Sequence, residues 1–144
     1  MDDTTPRDVA LRWMRLHEAF GGPDFDRAFD RLHSPDFRDF SPGGPDDRRD
    51  GFKQGLVAWY RAFPDLEVQV EDLLVHREQG KVTVRWSARG THRAPNLGVA
   101  PTGRVIGFRG IEIITVVDGV ITERWGEWDG LDLLAQLGAW LPTP

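Results

Sequence analysis

The hydrophobic period changes once along the chain, at Pro64, and no other feature constrains the fold as strongly. Before Pro64, apolar residues recur every three or four positions, as they do from Val9 to Phe20, and this spacing is typical of amphipathic helices. After it, apolar and polar residues alternate, as they do from Leu66 to Glu71, which is typical of half-buried strands. Helices followed by strands, rather than alternating with them, predict an α+β fold.

Start and stop signals divide the first part of the chain into three helices. The first is predicted from its cap Thr5 to Gly22, the second opens at Pro23, and the third runs from about Arg49 to Phe63. Between the last two lies a loop rich in Pro, Gly and Asp, from Ser34 to Asp50, which is interrupted by an extended piece from Phe37 to Phe40.

Four strands are predicted after Pro64, connected in sequence as an antiparallel meander. They run from Leu66 to about His76, from Val82 to Gly90, from Arg104 to Val117 and from Val120 to Trp128. Asp118-Gly119 is a strong hairpin signal. The segment from Arg93 to Gly103 is long for a connection between strands, so we expect it to form a lid or rim. A last amphipathic helix is predicted after Asp129.

These elements predict a single domain over residues 1–144, in which a curved antiparallel sheet of four to five strands closes as a cone over three N-terminal helices. A short C-terminal helix completes the predicted fold. A cone of this size leaves one apolar pocket at its mouth. The six tryptophans exceed what the packing of a small acidic chain needs, and they fit a cavity with large flat walls.

Composition and charge exclude several classes of function. The chain has 18 Lys and Arg residues against 23 Asp and Glu, so it has no basic excess for binding nucleic acid. Its longest apolar run, from Ile111 to Val117, is far shorter than the roughly 20 residues of a membrane span. The acidic N-terminal segment shows no signal peptide, so we expect a cytoplasmic protein without a membrane partner.

Metal and nucleotide sites have no visible support in the sequence. The chain contains no Cys, and its four His show no metal-ligand spacing. Neither an HExxH motif nor a glycine-rich phosphate loop is present. We therefore expect no metal and no cofactor.

Four blocks of sequence carry a family resemblance. They are RAFPDLEVQVEDLL from Arg61, VRWSARGTHR from Val84, APTGR from Ala100 and, above all, GIEIITVVDGVITERWGEWDGLDLLAQLG from Gly110. In order and spacing they resemble the SnoaL-like polyketide cyclases, over essentially the whole chain. The resemblance implies the cone fold shared with nuclear transport factor 2, ketosteroid isomerase and limonene epoxide hydrolase, and a homodimer formed through the outer face of the sheet.

The resemblance also implies a reaction, the intramolecular aldol ring closure of a small hydrophobic aromatic polyketide. One pocket aspartate acts as acid and base, without metal or cofactor. The position that matches it, in W-x-x-x-D, is Asp129 after Trp125. Many family members carry Asp-His after the second helix, where this chain has Asp39-Phe40. Ketosteroid isomerases hold their base there in Glu-Asp-Pro, and the loose match from Arg38 to Pro42 makes Asp39 a second candidate base.

Alternate residues of a strand point to opposite faces of the sheet, which indicates the polar residues that lie on the apolar inner face. A carboxylate on that face can act as an acid or a base. Glu112 lies on the apolar face of its strand, and His92 shares a face with Trp86. Either could orient a substrate carbonyl. The predicted catalytic residues are Asp129, Asp39, His92 and Glu112.

The same alternation of residues along the strands predicts which side chains form the walls of the pocket. If the last strand is regular, Glu123, Trp125 and Asp129 lie on the same face of it. Trp125 and Trp128 then lie on opposite faces, so one of them lines the pocket and the other packs in the core or at a dimer interface. Asp129 has a second interpretation, as the N-cap of the last helix. The predicted substrate-binding residues are Trp86, Trp125, Glu123, Phe40, Phe63 and Trp59.

Three alternatives to the cyclase reaction stay open on this fold. The first is a hydroxylase, isomerase or dehydratase acting on a polycyclic aromatic substrate, with Asp39 and Asp129 sharing the work. The second is an epoxide hydrolase, which needs an Asp-Arg-Asp set in the pocket, whereas Arg85 and Arg89 are predicted on the polar face. The third is a cone that binds a small ligand without converting it.

Overall fold

Four α-helices and five β-strands are present in the computed structural model, which describes residues 4–41 and 47–139. The helices are α1 (Pro6–Met14), α2 (Phe25–Leu32), α3 (Arg49–Ala62) and α4 (Gly130–Gln136). The strands are β1 (His33–Asp39), β2 (Glu67–His76), β3 (Lys81–Thr91), β4 (Val105–Val117) and β5 (Val120–Trp128). No helix in these two ranges is long and apolar enough to cross a membrane.

The first helix is shorter than predicted. Thr5 caps it as expected, because its hydroxyl accepts a hydrogen bond from the Asp8 N–H at 3.2 Å. The α-helix ends at Met14, however, since Arg15 leaves the helical conformation, and a 3₁₀ helix continues the chain from Leu16 to Ala19. The apolar face continues into the 3₁₀ helix, where Leu16 is buried.

The sheet has the strand order β1-β5-β4-β3-β2. Strands β2 to β5 form the predicted antiparallel meander, and the α+β fold is confirmed. The prediction of an all-antiparallel sheet is wrong, because β1 pairs with β5 in parallel and makes the sheet mixed. The sequence predicts only an extended piece from Phe37 to Phe40 in place of β1, because the strand contains Pro35 and two aspartates, which an edge strand tolerates.

The inner face of the sheet, covered by α1, forms the core of the molecule. Along β3 as far as Gly90 and along β4, buried residues alternate with more exposed ones, and Val84 and Ile114 are fully buried. Glu112 belongs to the inner set and is 6% exposed, whereas Arg85 and Arg89 lie on the outer face. The parity predicted for these two strands is confirmed.

A β-bulge at Thr122 changes which residues of β5 face the inside of the molecule. Val116 pairs with Ile121 and Thr115 pairs with Glu123, so Thr122 is the extra residue between them. Ile121 faces inward before the bulge, and Arg124 faces inward after it. The prediction that the last strand stays regular is therefore wrong.

His33 begins β1 inside the core, and its burial makes stability depend on pH. Its Nδ1 donates a hydrogen bond to the Phe29 carbonyl oxygen at 2.8 Å, and the residue is 1% exposed. Burial lowers the pKa of His33 from 6.5 to about 4. The unfolded chain binds this proton more readily, so the free energy of unfolding should fall by about 3 kcal/mol between pH 6.5 and pH 4.

Urea unfolding of the wild type and of His33→Phe across this pH range measures the effect. Phenylalanine keeps a ring beside Phe29, whose centroid lies 4.1 Å from that of His33. The wild type should lose about 3 kcal/mol more than the variant on acidification. The same pH dependence in both proteins would show that folding does not lower the pKa of His33.

Candidate active site in an aromatic cavity

A cavity of about 410 Å³ lies between the helices and the inner face of the sheet. Its walls are mainly aromatic, and α1, α3, β3, β4 and β5 each contribute a ring. The aromatic residues that line it are Trp13, Phe52, Trp59, Tyr60, Trp86, Phe108 and Trp128. This volume and these flat walls fit a ligand with fused rings.

An ion cluster of Asp39, Arg124 and Glu112 lies in the cavity wall. The Arg124 guanidinium donates from Nη1 to Asp39 Oδ1 at 3.0 Å and from Nη2 to Glu112 Oε1 at 2.9 Å. All three side chains are at least 86% buried, being 14%, 9% and 8% exposed for Arg124, Asp39 and Glu112. Although burial disfavours its charge, the two carboxylates raise the pKa of Arg124, so the guanidinium stays protonated.

The two carboxylates differ in how many hydrogen bonds they already accept. Asp39 accepts from the Ser41 backbone N–H, from the Ser41 hydroxyl and twice from Arg124. Glu112 accepts from Arg124 alone, one bond to each oxygen. Each Glu112 oxygen therefore keeps a lone pair for a ligand proton.

Gly126 makes room for the guanidinium between these acids. A Cβ on Gly126 would lie 2.5 Å from Arg124 Nη2, closer than any real contact. The Gly126 N–H also donates to the Ser41 hydroxyl at 2.7 Å, and Phe52 lies under the guanidinium with its ring centroid 5.1 Å from Cζ. The position of Arg124 is thus fixed from several sides.

Tyr60 supplies a hydrogen-bond donor inside the cavity. Burial, with a contribution from the charge of Glu112, raises the pKa of Tyr60 well above its ordinary value, so the hydroxyl stays protonated. Within the described part of the chain, no group forms a hydrogen bond with this hydroxyl. Burial also lowers the pKa of His17, another lining residue, which favours a neutral imidazole at pH 7.

The cavity residues do not form a metal site. Across residues 4–41 and 47–139, no three His, Asp or Glu side chains are grouped so that they could hold an ion. Arg124 occupies the space between Asp39 and Glu112.

Four of the predicted site residues line the cavity together. They are Asp39, Glu112, Trp59 and Trp86. The other six do not line it, and each has a different local role.

Asp129 lies outside the cavity, at the start of α4. Its carboxylate accepts the Asp132 N–H at 3.0 Å, which makes it the N-cap of the helix, and it pairs with Arg109 at 3.0 Å. Both contacts lower the pKa of Asp129, with the Asp132 hydrogen bond as the main cause. The helix-cap interpretation describes its geometry.

The capping role of Asp129 predicts how two substitutions differ. Asp129→Ala removes the cap and should lower the melting temperature, whereas Asp129→Asn should keep it because asparagine caps helices as well as aspartate does. Thermal unfolding followed by circular dichroism measures both. Equal melting temperatures for the alanine variant and the wild type would contradict the capping role.

His92 and Phe63 lie in the core beside the cavity. His92 is fully buried and stacks on Phe63, with ring centroids 5.5 Å apart. Its Nδ1 accepts the Thr102 N–H at 3.1 Å, so it fixes the base of the loop that follows β3.

Phe40, Glu123 and Trp125 lie on the other side of the sheet because of the bulge at Thr122. Trp125 is 52% exposed and stacks on Phe40, with centroids 5.2 Å apart. Of the two tryptophans of β5, Trp128 lines the cavity, whereas Trp125, which was predicted from the sequence to bind substrate, does not. Pro42, the end of the run compared with ketosteroid isomerases, lies outside the described residues.

Arg124 and Tyr60 are the main site residues that the sequence did not indicate. Regular alternation placed Arg124 on the outer face, and no motif marks a bulge in the run from Thr122 to Gly126. Tyr60 is the one tyrosine of the chain. It lies in a helix beside Trp59, where an aromatic residue is expected to pack in the core.

Solved structures with this architecture are known. IdmH from Streptomyces antibioticus, a proposed polyketide cyclase, is 32% identical, with 92% of this chain and 98% of that chain covered and a TM-score of 0.75. A proposed polyketide cyclase from Bacillus cereus ATCC 10987 is 29% identical, with coverage of 96% and 83% and a TM-score of 0.77. AclR from Streptomyces galilaeus, a proposed hydroxylase, is 23% identical, with coverage of 96% and 85% and a TM-score of 0.77, a likeness of fold alone.

Sequence comparison agrees with the structural similarity. No curated protein matches the chain. The profile of the SnoaL-like polyketide cyclases matches residues 11–137, which include every element from the middle of α1 to the end of α4. The chain therefore belongs to the SnoaL-like polyketide cyclase family.

Proposed function

We propose that the protein catalyses the intramolecular aldol ring closure of an aromatic polyketide held in the cavity. The observation that supports this most is the Asp39–Arg124–Glu112 cluster in the wall of an aromatic cavity that Tyr60 also lines. The reaction needs a base next to a carbonyl and a donor for the oxygen that gains charge. Glu112 can accept a further hydrogen bond and Tyr60 can donate one, which are the capacities that these two roles need.

In the proposed reaction, Glu112 takes a proton from the carbon next to a substrate carbonyl. Tyr60 donates a hydrogen bond to the enolate oxygen that forms. The carbanion attacks a second carbonyl carbon of the same molecule, and the electron pair of that C=O bond moves onto its oxygen. Glu112 then returns the proton to this oxygen. One C–C bond forms, no atom is lost, and no co-reactant is needed.

Arg124 and Asp39 are positioning residues in this scheme. Arg124 holds both Glu112 oxygens, which fixes the direction of the remaining lone pairs. Asp39 and Ser41 hold Arg124 from the other side, at 3.0 Å and 2.8 Å from Nη1. A base held within such a network keeps one geometry through the reaction.

The product mass tests the proposed reaction. Wild-type protein is incubated with a panel of aromatic poly-β-ketones and anthracyclinone-type compounds, and the products are identified by mass spectrometry. Ring closure predicts a product of unchanged mass, or one lighter by one water if dehydration follows. A gain of one oxygen indicates hydroxylation and contradicts the proposal, and binding without any conversion indicates a binding protein.

The same cluster favours a second candidate, the hydrolysis of an epoxide. A carboxylate–arginine–carboxylate set can activate water, and Arg124 supplies the arginine that Arg85 and Arg89 could not. In this case the product gains the mass of one water, so the same experiment separates the two reactions.

We further propose that the protein forms a homodimer through the outer face of the sheet. Large apolar side chains lie exposed there, including Ile111, Ile113 and Trp125, at 49%, 39% and 52%. Ile113 and Trp125 pair directly across β4 and β5, so their exposed side chains lie next to each other on this face. Sedimentation velocity should give twice 16.3 kDa for the wild type and a monomer for Ile113→Lys. A monomeric wild type would contradict this proposal.

A further inference from the structure

Two hairpin turns in the structure have the same backbone conformation and different residues. Leu97 and Gly98 have φ angles of +50° and +74°, and Asp118 and Gly119 have +50° and +79°. Within residues 4–41 and 47–139, Leu97 and Asp118 are the non-glycine residues with positive φ. Two-residue hairpin turns with positive φ at both positions favour Asn-Gly and Asp-Gly.

Leucine is poorly suited to this conformation. Aspartate tolerates the left-handed region because its short polar side chain can bond locally, whereas a larger apolar side chain crowds the backbone. Asp118-Gly119 therefore follows the preference of the turn, and Leu97-Gly98 departs from it. Strained residues of this kind tend to occur at functional sites.

The position of Leu97 distinguishes the two turns. Leu97 and its neighbour Asn96 line the cavity, whereas Asp118 does not. Leu97 is 52% exposed, so it does not serve as a core residue. An apolar side chain that is half in water on a strained backbone does not stabilise the free protein.

The loop that carries Leu97 is held firmly at its base and at its tip. At the base, His92 accepts the Gly103 N–H at 2.9 Å and donates its own N–H to Arg104 at 2.9 Å. At the tip, Asn96 and Val99 exchange two backbone hydrogen bonds, at 3.0 Å and 2.8 Å. Leu97 is thus presented at the cavity in a defined position before any ligand arrives.

We propose that Leu97 contacts the ligand at the cavity mouth and covers the edge of a flat apolar ring system. Trp59 and Trp86 hold such a ring from inside the cavity, and Leu97 packs on the part that would otherwise face water. This role rests on the cavity binding an aromatic ligand, as in the proposed function, and is independent of the reaction that follows.

The role predicts that one substitution changes stability and binding in opposite directions. Leu97→Asn relieves the strain, so the melting temperature should rise by about 3 °C. It also removes the apolar contact, so the Kd for 1,8-dihydroxyanthraquinone should rise about tenfold. Tryptophan fluorescence quenching measures binding, because four of the lining residues are tryptophans.

Two control variants separate contact from turn geometry. Asp118→Leu introduces the same strain in the turn outside the cavity, so it should lower the melting temperature and leave the Kd unchanged. Leu97→Met keeps an apolar side chain at the mouth and should keep the Kd within about twofold. The reverse pattern, in which Asp118→Leu weakens binding or Leu97→Met weakens it as much as Leu97→Asn, would overturn the proposal.

An unchanged Kd in Leu97→Asn would overturn the role of Leu97 and leave the proposed function untouched. A wild type that does not bind the probe would count against the role of Leu97 and against the proposed function alike. A protein that binds the probe through Leu97 and converts no polyketide would contradict the ring-closure reaction and support the role of Leu97.

Discussion

Replacing Arg124 with methionine should lower the free energy of unfolding by about 3 kcal/mol at pH 7. The substitution leaves the carboxylates of Asp39 and Glu112 buried without the cation that both of them contact. An unpaired buried charge is costly because the protein interior solvates it poorly.

Urea unfolding at pH 7 measures this effect, and Arg85→Met is its matched control. Arg85 also pairs with an acid, Asp72 at 2.6 Å, but both side chains are more than half exposed, at 52% and 59%. An exposed pair contributes less than about 1 kcal/mol, so this variant should stay close to the wild type. Equal losses in the two variants would mean that burial of the cluster does not determine its contribution.

Replacing Glu112 with glutamine should lower kcat by a factor of about 10² to 10⁴. Glutamine has nearly the same shape and keeps an oxygen that can accept from Arg124, but it cannot take a proton from a substrate carbon. KM and the Kd of an aromatic ligand should change little, since the aromatic walls are intact. Turnover followed by product mass, together with fluorescence binding, gives the two quantities separately.

Asp39→Asn is the control for the Glu112 variant. In our account Asp39 positions Arg124 and does not contact the reacting atoms, so its loss should reduce kcat by a smaller factor than the loss of Glu112. If Asp39→Asn abolished turnover and Glu112→Gln preserved it, the base would be Asp39, and the roles of the two acids would be reversed.

The order and type of most elements could be predicted from the sequence because local patterns determine them. The change of period at Pro64 separated helices from strands, and the bounds predicted for β5 match those of the structure. Only part of β1 could be recognised, as the extended piece from Phe37 to Phe40, because an edge strand needs no alternating pattern. Its parallel pairing with β5 depends on contacts between residues about 85 positions apart, such as Asp39 and Arg124.

The candidate site could be predicted only in part, and one residue explains most of the difference. The bulge at Thr122 moves Arg124 and Trp128 to the cavity side and Trp125 to the outer face. A bulge depends on how two strands pair with each other. The alternation of residues along one strand carries no information about that pairing. Glu112, on the regular strand β4, was placed correctly by the same count.

The family resemblance and the geometry disagree on the catalytic acid. The motif W-x-x-x-D points to Asp129, whose carboxylate in this structure caps α4 and pairs with Arg109 outside the cavity. The cavity contains Glu112 and Asp39 instead. A fold that supports several reactions can place its acid on different elements, so the motif position alone does not determine the role.

The kcat of Glu112→Gln and of Asp129→Asn, measured side by side on the same substrate, shows which of the two carboxylates is the catalytic base. Both substitutions replace one carboxylate by an amide of the same shape, and Asp129→Asn keeps the helix cap. We predict that Glu112→Gln loses turnover by a factor of about 10² or more and that Asp129→Asn stays near the wild type. If Asp129→Asn lost turnover and Glu112→Gln kept it, the role proposed for Glu112 would be wrong. The base would then be Asp129, at the start of α4.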